Sequence, residues 1–345
     1  MKKVFSITFL LVSLVAYSQD FSLGLKNGTK LYFNVVDTTM KKVEIVRVKT
    51  FDNIQPKLPE GELAIPGGVT YQGSNWSVCG IGDNAFNGAT DLLSVSIPSS
   101  VSKIGAGAFS GCKNLKSVIF PSSNPEFGEK VFEQCSSLSA ISLGSDWISL
   151  DLKIFADSEE LSSIYIPAKV NQIKGLKLLA GLKDVMIDPN NHAFSSCNGM
   201  LLSADGKVLY ACPNAKSGEI RIPDSVERIL DGAFASCRYI TSVILPANLR
   251  EFAFDEFARC SCLESITIMS CFPPATAKYG GNSVFAIQTP NSSCRLFTTR
   301  KYRAVYQSAI NSTGGVYESL NSVRSANLTS MDLLGSSSVM ALKVR

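Results

Sequence analysis

The sequence is nearly without histidine: His192 is the only one in 345 residues. That scarcity excludes most familiar catalysis, because Ser-His-Asp and Cys-His chemistry would both have to converge on that one loop residue. No Gly-x-Ser-x-Gly elbow flanks a strand-like run, and no phosphate-binding loop is present. Zinc is poorly served as well. Cys260-Ser261-Cys262 is tighter than the usual gap of about two to four residues in structural zinc pairs, and no histidine lies near it. Asp157, Glu159 and Glu160 come closest to a carboxylate cluster, and they fit a solvated acidic face. Asp146 and Asp151 flank Trp147, which occupies a core slot. The chain therefore reads as no enzyme, with no cofactor and no metal.

Charge of one sign is not concentrated either. The net charge is +4 with signs mixed, and the absence of a basic run argues against nucleic acid as a partner. Long apolar runs are missing beyond the start of the chain, where a membrane span would need about 20 such residues. At the start, Lys2 and Lys3 precede the apolar run Val4 to Val15, and Ala16-Tyr17-Ser18 follows with small residues. This pattern predicts a secretory signal over 1–18, cut before Gln19, and hence a secreted or outer-surface protein. No cysteine follows the predicted cut, which argues against a lipid anchor there.

What the sequence does have is a beat. Phenylalanines fall at 86, 109, 132 and 155, and again at 234 and 257, with a step of 23 inside each series. Ile81, Ile104, Phe127 and Leu150 keep the same step, as do Leu92, Leu115, Leu138 and Leu161. A fixed period of this length signals a solenoid of stacked supersecondary units. The clearest unit runs from Pro98 to Phe120. Val118 and Phe120 alternate with Ser117 and Ile119, which predicts a short strand. From Ile104 through Phe109 and Cys112 to Leu115 the apolar steps are three to five residues, which predicts a short helical turn. Seven units follow this plan, with landmarks Phe86, Phe109, Phe132, Phe155, Leu176, Phe234 and Phe257; the Leu176 unit is two residues short.

The fold class expected is a repeat solenoid with one short parallel strand and one short helical turn per unit. Its spans are a β-hairpin cap over 19–65, repeats over 66–270, a C-terminal cap over 271–323 and a tail over 324–345. The cap rests on the strand-like runs Leu31 to Val36 and Val43 to Val48. Residues 190–219 interrupt the beat: Met200 to Ser203 and Lys207 to Tyr210, joined by Ala204-Asp205-Gly206, predict an inserted hairpin. Deleting it is expected to leave strands that restack. In the C-terminal cap, Cys294 to Phe297 reads as a last strand and Tyr302 to Ala309 as a closing helix.

The strings Ile81-Gly82-Asp83-Asn84-Ala85-Phe86 and Ile104-Gly105-Ala106-Gly107-Ala108-Phe109-Ser110-Gly111-Cys112 resemble the BspA-like leucine-rich repeat family. Gly61-Glu62-Leu63-Ala64-Ile65-Pro66, Ile220-Arg221-Ile222-Pro223 and Phe272-Pro273-Pro274 are similar to it too. The resemblance covers roughly residues 60 to 310. It implies a parallel-sheet solenoid, exported or on the surface of bacteria of the Bacteroides group, with a role in adhesion to host proteins or other cells. It does not imply which ligand.

Ten cysteines in a chain read as exported raise the question of disulfides. Cys112, Cys135, Cys237 and Cys260 share one repeat slot, three after the landmark phenylalanine. Stacked slots lie about 4.8 Å apart with their Cβ atoms pointing the same way, whereas a relaxed disulfide wants Cβ atoms about 3.8 Å apart and converging. These four are expected to be free. Cys197 and Cys212 lie on opposite arms of the inserted hairpin and form a candidate pair. Cys262, Cys271 and Cys294 crowd the C-terminal cap, where one bridge has room.

If Val118 and Phe120 point inward, their neighbours point out. One outward slot carries Ile119, Ser142, Tyr165, Met186, Ile244 and Thr267, a column more apolar than a solvated surface requires. These six are the candidate ligand contacts, for an extracellular or host protein. The bland alternative is that the inserted hairpin or the tail covers them. A second functional reading is a glycan-binding component of an outer-membrane polysaccharide uptake system, for which a row of outward aromatics is expected and Tyr165 alone fits.

Overall fold

The computed structural model describes residues 20–25, 28–47, 57–120, 122, 124–252, 256–257, 259–270, 275–276, 294–299, 302–305 and 323–326. The predicted signal over 1–18, most of the C-terminal cap and the tail beyond Ala326 lie outside them. Within them the repeat becomes a parallel ladder. Strands Gly61–Ala64, Leu92–Ser96, Ser117–Ile119 and Ala140–Ser142 pair side by side, with Ser94 beside Ser117 and Ser117 beside Ala140. Ser163–Ile166 pairs with Asp184–Ile187. A third group begins at Ser217–Arg221 and continues through Tyr239–Leu245, Ser265–Ile268, Arg295–Thr299 and Val323–Ala326.

Each unit holds a second strand that the sequence reading placed in a helical turn. Ser74–Ile81, Lys103–Ile104 and Glu126–Phe127 form a parallel ladder of their own. So do Ser149–Asp151 with Gln172–Lys174, and Val208–Ala211 with Arg228–Ile229, Glu251–Phe252 and Ala275–Thr276. Among the described residues, helical geometry in the repeats is limited to the 3-10 turns Leu152–Phe155 and Leu176–Leu178. The reason lies in the hydrogen bonds. A helix satisfies its N–H groups along the chain. Here the arcs satisfy them across units: Phe86 N donates to Ala108 O at 2.8 Å and Phe109 N to Val131 O at 2.9 Å. An apolar residue at every third to fifth position marks the corners of a coil wound about its own core, and that spacing mimics a helical stripe.

The core is a column of rings. Phe109 stacks on Phe86 at 5.1 Å and on Phe132 at 5.3 Å, and Phe155 continues the stack at 5.3 Å. The cysteine slot has its own logic. Cys112 Sγ donates to Phe86 O at 3.4 Å, Cys135 Sγ to Phe109 O at 3.2 Å and Cys260 Sγ to Phe234 O at 3.6 Å. A small apolar side chain with a weak donor fits a slot facing the preceding unit's carbonyl. Cys112, Cys135, Cys237 and Cys260 are buried free thiols. Cys197 and Cys212 are also free, which corrects their candidate pairing. The Met200–Ser203 strand lies between the Phe194–Cys197 strand and the Val208–Ala211 strand that leads to Cys212. Cys262 is free as well, Cys294 is buried, and Cys271 lies outside the described residues.

At the front, Phe21–Gly24, Lys30–Asp37 and Lys42–Ile45 run antiparallel, and Lys42–Ile45 joins Ser74–Ile81 in parallel. Leu31, Phe33, Val43 and Ile45 thereby cover the open end of the first repeat and are buried. The hairpin Gly68–Tyr71 to Ser74–Ile81 was not read from the sequence; it turns at Gln72 and Gly73, both at positive φ.

The interruption at 190–219 is larger than a hairpin. Phe194–Cys197, Met200–Ser203 and Val208–Ala211 form a three-stranded meander, and its last strand enters the second ladder beside Arg228–Ile229. Its side chains serve two cores. Leu201 and Ala211 pack into the first, whereas Met200, Leu202, Leu209 and Cys212 pack into the second. The meander thus joins two cores, which argues against the expectation that the flanking strands restack without it.

Candidate binding surface

The long-strand ladder places the candidate residues in one slot. Ser142 stands beside Ile119, Met186 beside Tyr165, and Thr267 beside Ile244. Their exposure divides them. Ile119, Tyr165 and Met186 are 44%, 43% and 46% exposed, and Ser142 is open too. Ile244 is half-buried, and Thr267 is 5% exposed beside a buried Phe297, so Thr267 is closed to a surface contact. The outward phase predicted for that slot holds in the first half of the chain and fails near its C-terminal end.

The meander does not cover the exposed part. It feeds the other ladder, and its contribution at this edge is one turn, where Gly199 O accepts Val185 N at 3.0 Å. Met186, on the same strand, stays open.

Tyr165 is held in place. Its hydroxyl donates to Asp188 Oδ2 at 2.8 Å, which raises the phenol's pKa above its ordinary value. The Asn190 backbone N–H at 2.8 Å, and then this hydroxyl, hold the Asp188 carboxyl below the usual carboxylate range. A ring fixed in this way loses less rotamer freedom when it meets a partner. Asp188 was missed by sequence reasoning: in the shortened unit the register partner of Tyr165 is Met186, and Asp188 lies two residues past it, so the repeat gives no signal for the pair.

A break in the ladder lies next to this patch. Asp184–Ile187 and Ser217–Arg221 are not paired with each other. A cleft of about 370 Å³ opens at the break, lined by Lys183, Asn198, Met200, Lys216, Glu219 and Arg221 among others. Lys216 Nζ lies 3.4 Å from Asp184 Oδ1.

The groups weighed for catalysis are not assembled into a site. His192 is exposed in the loop before Phe194–Cys197. Asp157 accepts Gln134 N at 2.9 Å, and Asp146 pairs with Lys169 at 2.7 Å. Trp147 is buried against Phe120, as its slot predicts. Among the described residues no group of three metal-ligating side chains converges, and no helix is long and apolar enough to cross a membrane.

Curated proteins include no match to the sequence. Solved structures do. Pneumococcal vaccine antigen PcpA is 15% identical, with 89% of this chain and 99% of that chain covered and a TM-score of 0.48. A leucine-rich cell surface protein from Faecalibacterium prausnitzii is 17% identical, covering 92% and 98%, with a TM-score of 0.39. A leucine-rich repeat protein from Bacteroides ovatus is 22% identical, covering 79% of each chain, with a TM-score of 0.39. The family model for the BspA type leucine-rich repeat region matches residues 78–200 and 206–323 in six copies. With most of the repeat region matched, the chain belongs to the BspA-type leucine-rich repeat family.

Proposed function

We propose that this protein is a non-enzymatic binding module, secreted or held at the outer cell surface, that grips a protein partner across the outward face of its long-strand ladder. Family membership supports the general class, a repeat scaffold for protein interaction or adhesion. The observation that carries the finer reading is the open patch of Ile119, Ser142, Tyr165 and Met186, uncovered by the inserted meander. Exposed apolar side chains among serines suit an interface, and a tyrosine braced by Asp188 is a rigid anchor within it. A glycan platform finds less support, since Tyr165 is the one exposed aromatic in this slot among the described residues. The charged and apolar segment from Lys2 to Val15 supports the part of this reading that places the protein outside the cytoplasm.

The test is capture with the mature chain as bait, against extracellular protein fractions and against purified polysaccharides. Capture of a protein by the wild type, lost with Ile119→Ser plus Met186→Ser, is the expected result. Equal capture by both baits, or capture of polysaccharide alone, contradicts the reading.

A further inference from the structure

We propose that the cleft lined by Lys183 and Lys216 binds a sugar acid, a single saccharide unit whose carboxylate is held by the two ammonium groups. The site is separate from the Tyr165 face and does not depend on that face being a protein interface.

Lys216 differs from the other paired lysines. Its side chain is 16% exposed, and its Nζ lies 3.4 Å from Asp184 Oδ1. The lysine pairs at Lys57, Lys130, Lys169 and Lys207 are 2.7–3.0 Å long, and those lysines are 55–73% exposed. An ammonium drawn out of water needs close anions in exchange, and charge-assisted bonds of full strength run to about 2.7–2.9 Å. The Lys216 pair falls short of that, so a second anion has a place to fill. The fold brings further polar groups to the same spot. The turn at Asn198 and Gly199 sits so close to Asp184 that a Cβ at 199 would collide with it. That approach sets Asn198 at the cleft beside Lys216.

The lining chooses the occupant. The cleft of about 370 Å³ is within the range of small-ligand sites. Lys183 adds a second, exposed cation, and Asn198 and Ser217 add exposed neutral groups that donate and accept hydrogen bonds. Glu219 is the acid of the lining, and Ser242 on the neighbouring strand donates to it at 3.3 Å. It is thereby drawn along the sheet and serves as an acceptor at the rim. Buried Met200 and Ile220 give the cleft an apolar floor. Arg221 is engaged with Asp224 and a further group, and the site does not draw on it. Two cations call for an anion, the neutral groups and the rim acceptor suit hydroxyls, and the floor suits the C–H face of a ring. A sugar acid offers all three. A bare carboxylate meets the lysines and leaves the floor without contact, and a neutral sugar does the reverse.

The test titrates the mature chain with three probes, methyl glucuronide, methyl glucoside and acetate, and follows its amides by NMR. The glucuronide should shift the amides of Asn198, Lys216 and Ser217 and saturate in the millimolar range. The glucoside and acetate should each bind about tenfold more weakly or worse. Lys216→Met should lower glucuronide affinity by about tenfold, and Tyr165→Ala should leave it unchanged. Lys183→Gln alters an exposed side chain, so it keeps the fold and should still weaken the glucuronide by about threefold if Lys216→Met fails to fold. No saturable shift at these amides overturns the proposal. So does binding of acetate or of the glucoside as tightly as the glucuronide, or unchanged glucuronide affinity in Lys183→Gln. A loss with Tyr165→Ala as large as with Lys183→Gln overturns it too, because the sugar acid would then sit on the Tyr165 face.

Discussion

Phe109 and Phe132 are fully buried in the ring column, each with a parallel neighbour above and below. Replacing either with alanine should cost about 3–5 kcal/mol, the range for truncating a packed aromatic. Urea unfolding of both variants checks this, and losses below about 1 kcal/mol would place the rings outside the core. Glu256 offers a pH-dependent counterpart. Its carboxyl is buried at 1% yet accepts Gly232 N at 2.9 Å and Phe234 N, replacing the backbone carbonyls that serve the preceding arcs. Burial outweighs those donors and nearby Lys177, and pushes its pKa up to about 7 from 4.5. Between those values the folded state holds a proton that the unfolded state has released, so this group's contribution is greatest below 4.5 and is lost as pH rises through about 7. The urea midpoint of Glu256→Gln should accordingly fall less between pH 5.5 and 8 than that of the wild type. The landmark rings and the thiol slot were legible because one residue type recurs at one spacing. Thr267 was misplaced because alternation fixes the side of a strand a residue faces and says nothing of what lies over it.

Among the elements, the long strands were legible from their two-residue alternation and the short ones were not. Lys103–Ile104 and Glu126–Phe127 hold two residues each, too few to display a period, and their partners lie a full turn away in sequence. The insertion was half legible: Ala204-Asp205-Gly206 marked the turn between Met200–Ser203 and Val208–Ala211, but the preceding strand Phe194–Cys197 carries little apolar signal. Its role as a joint between two cores needed contacts that no local pattern encodes. Deleting 190–219 should therefore abolish the single cooperative transition, because it strips Leu201 and Ala211 from one core and Leu202 and Leu209 from the other. Circular dichroism with thermal melting reads the outcome, and a wild-type melt in the deletion would restore the restacking view.

As a whole, the molecule is a wound coil whose interior is used up by stacking, which leaves its surfaces for function. The first and second cores meet at the meander, and the open patch and the cleft both lie on the long-strand side of that joint. Tyr165 sits beside Met186 at the edge of the first half, with its hydroxyl on Asp188. The outward column was legible in part, as far as alternation reached. The break in the ladder was not, because a missing pairing leaves no mark on either strand. The central claim is that this face binds a protein through Tyr165. Titration calorimetry of the captured partner against wild type and Tyr165→Ala tests it most directly. The account predicts a loss of about 2 kcal/mol or more in binding, with the melting temperature unchanged; equal affinity of the two proteins would contradict it.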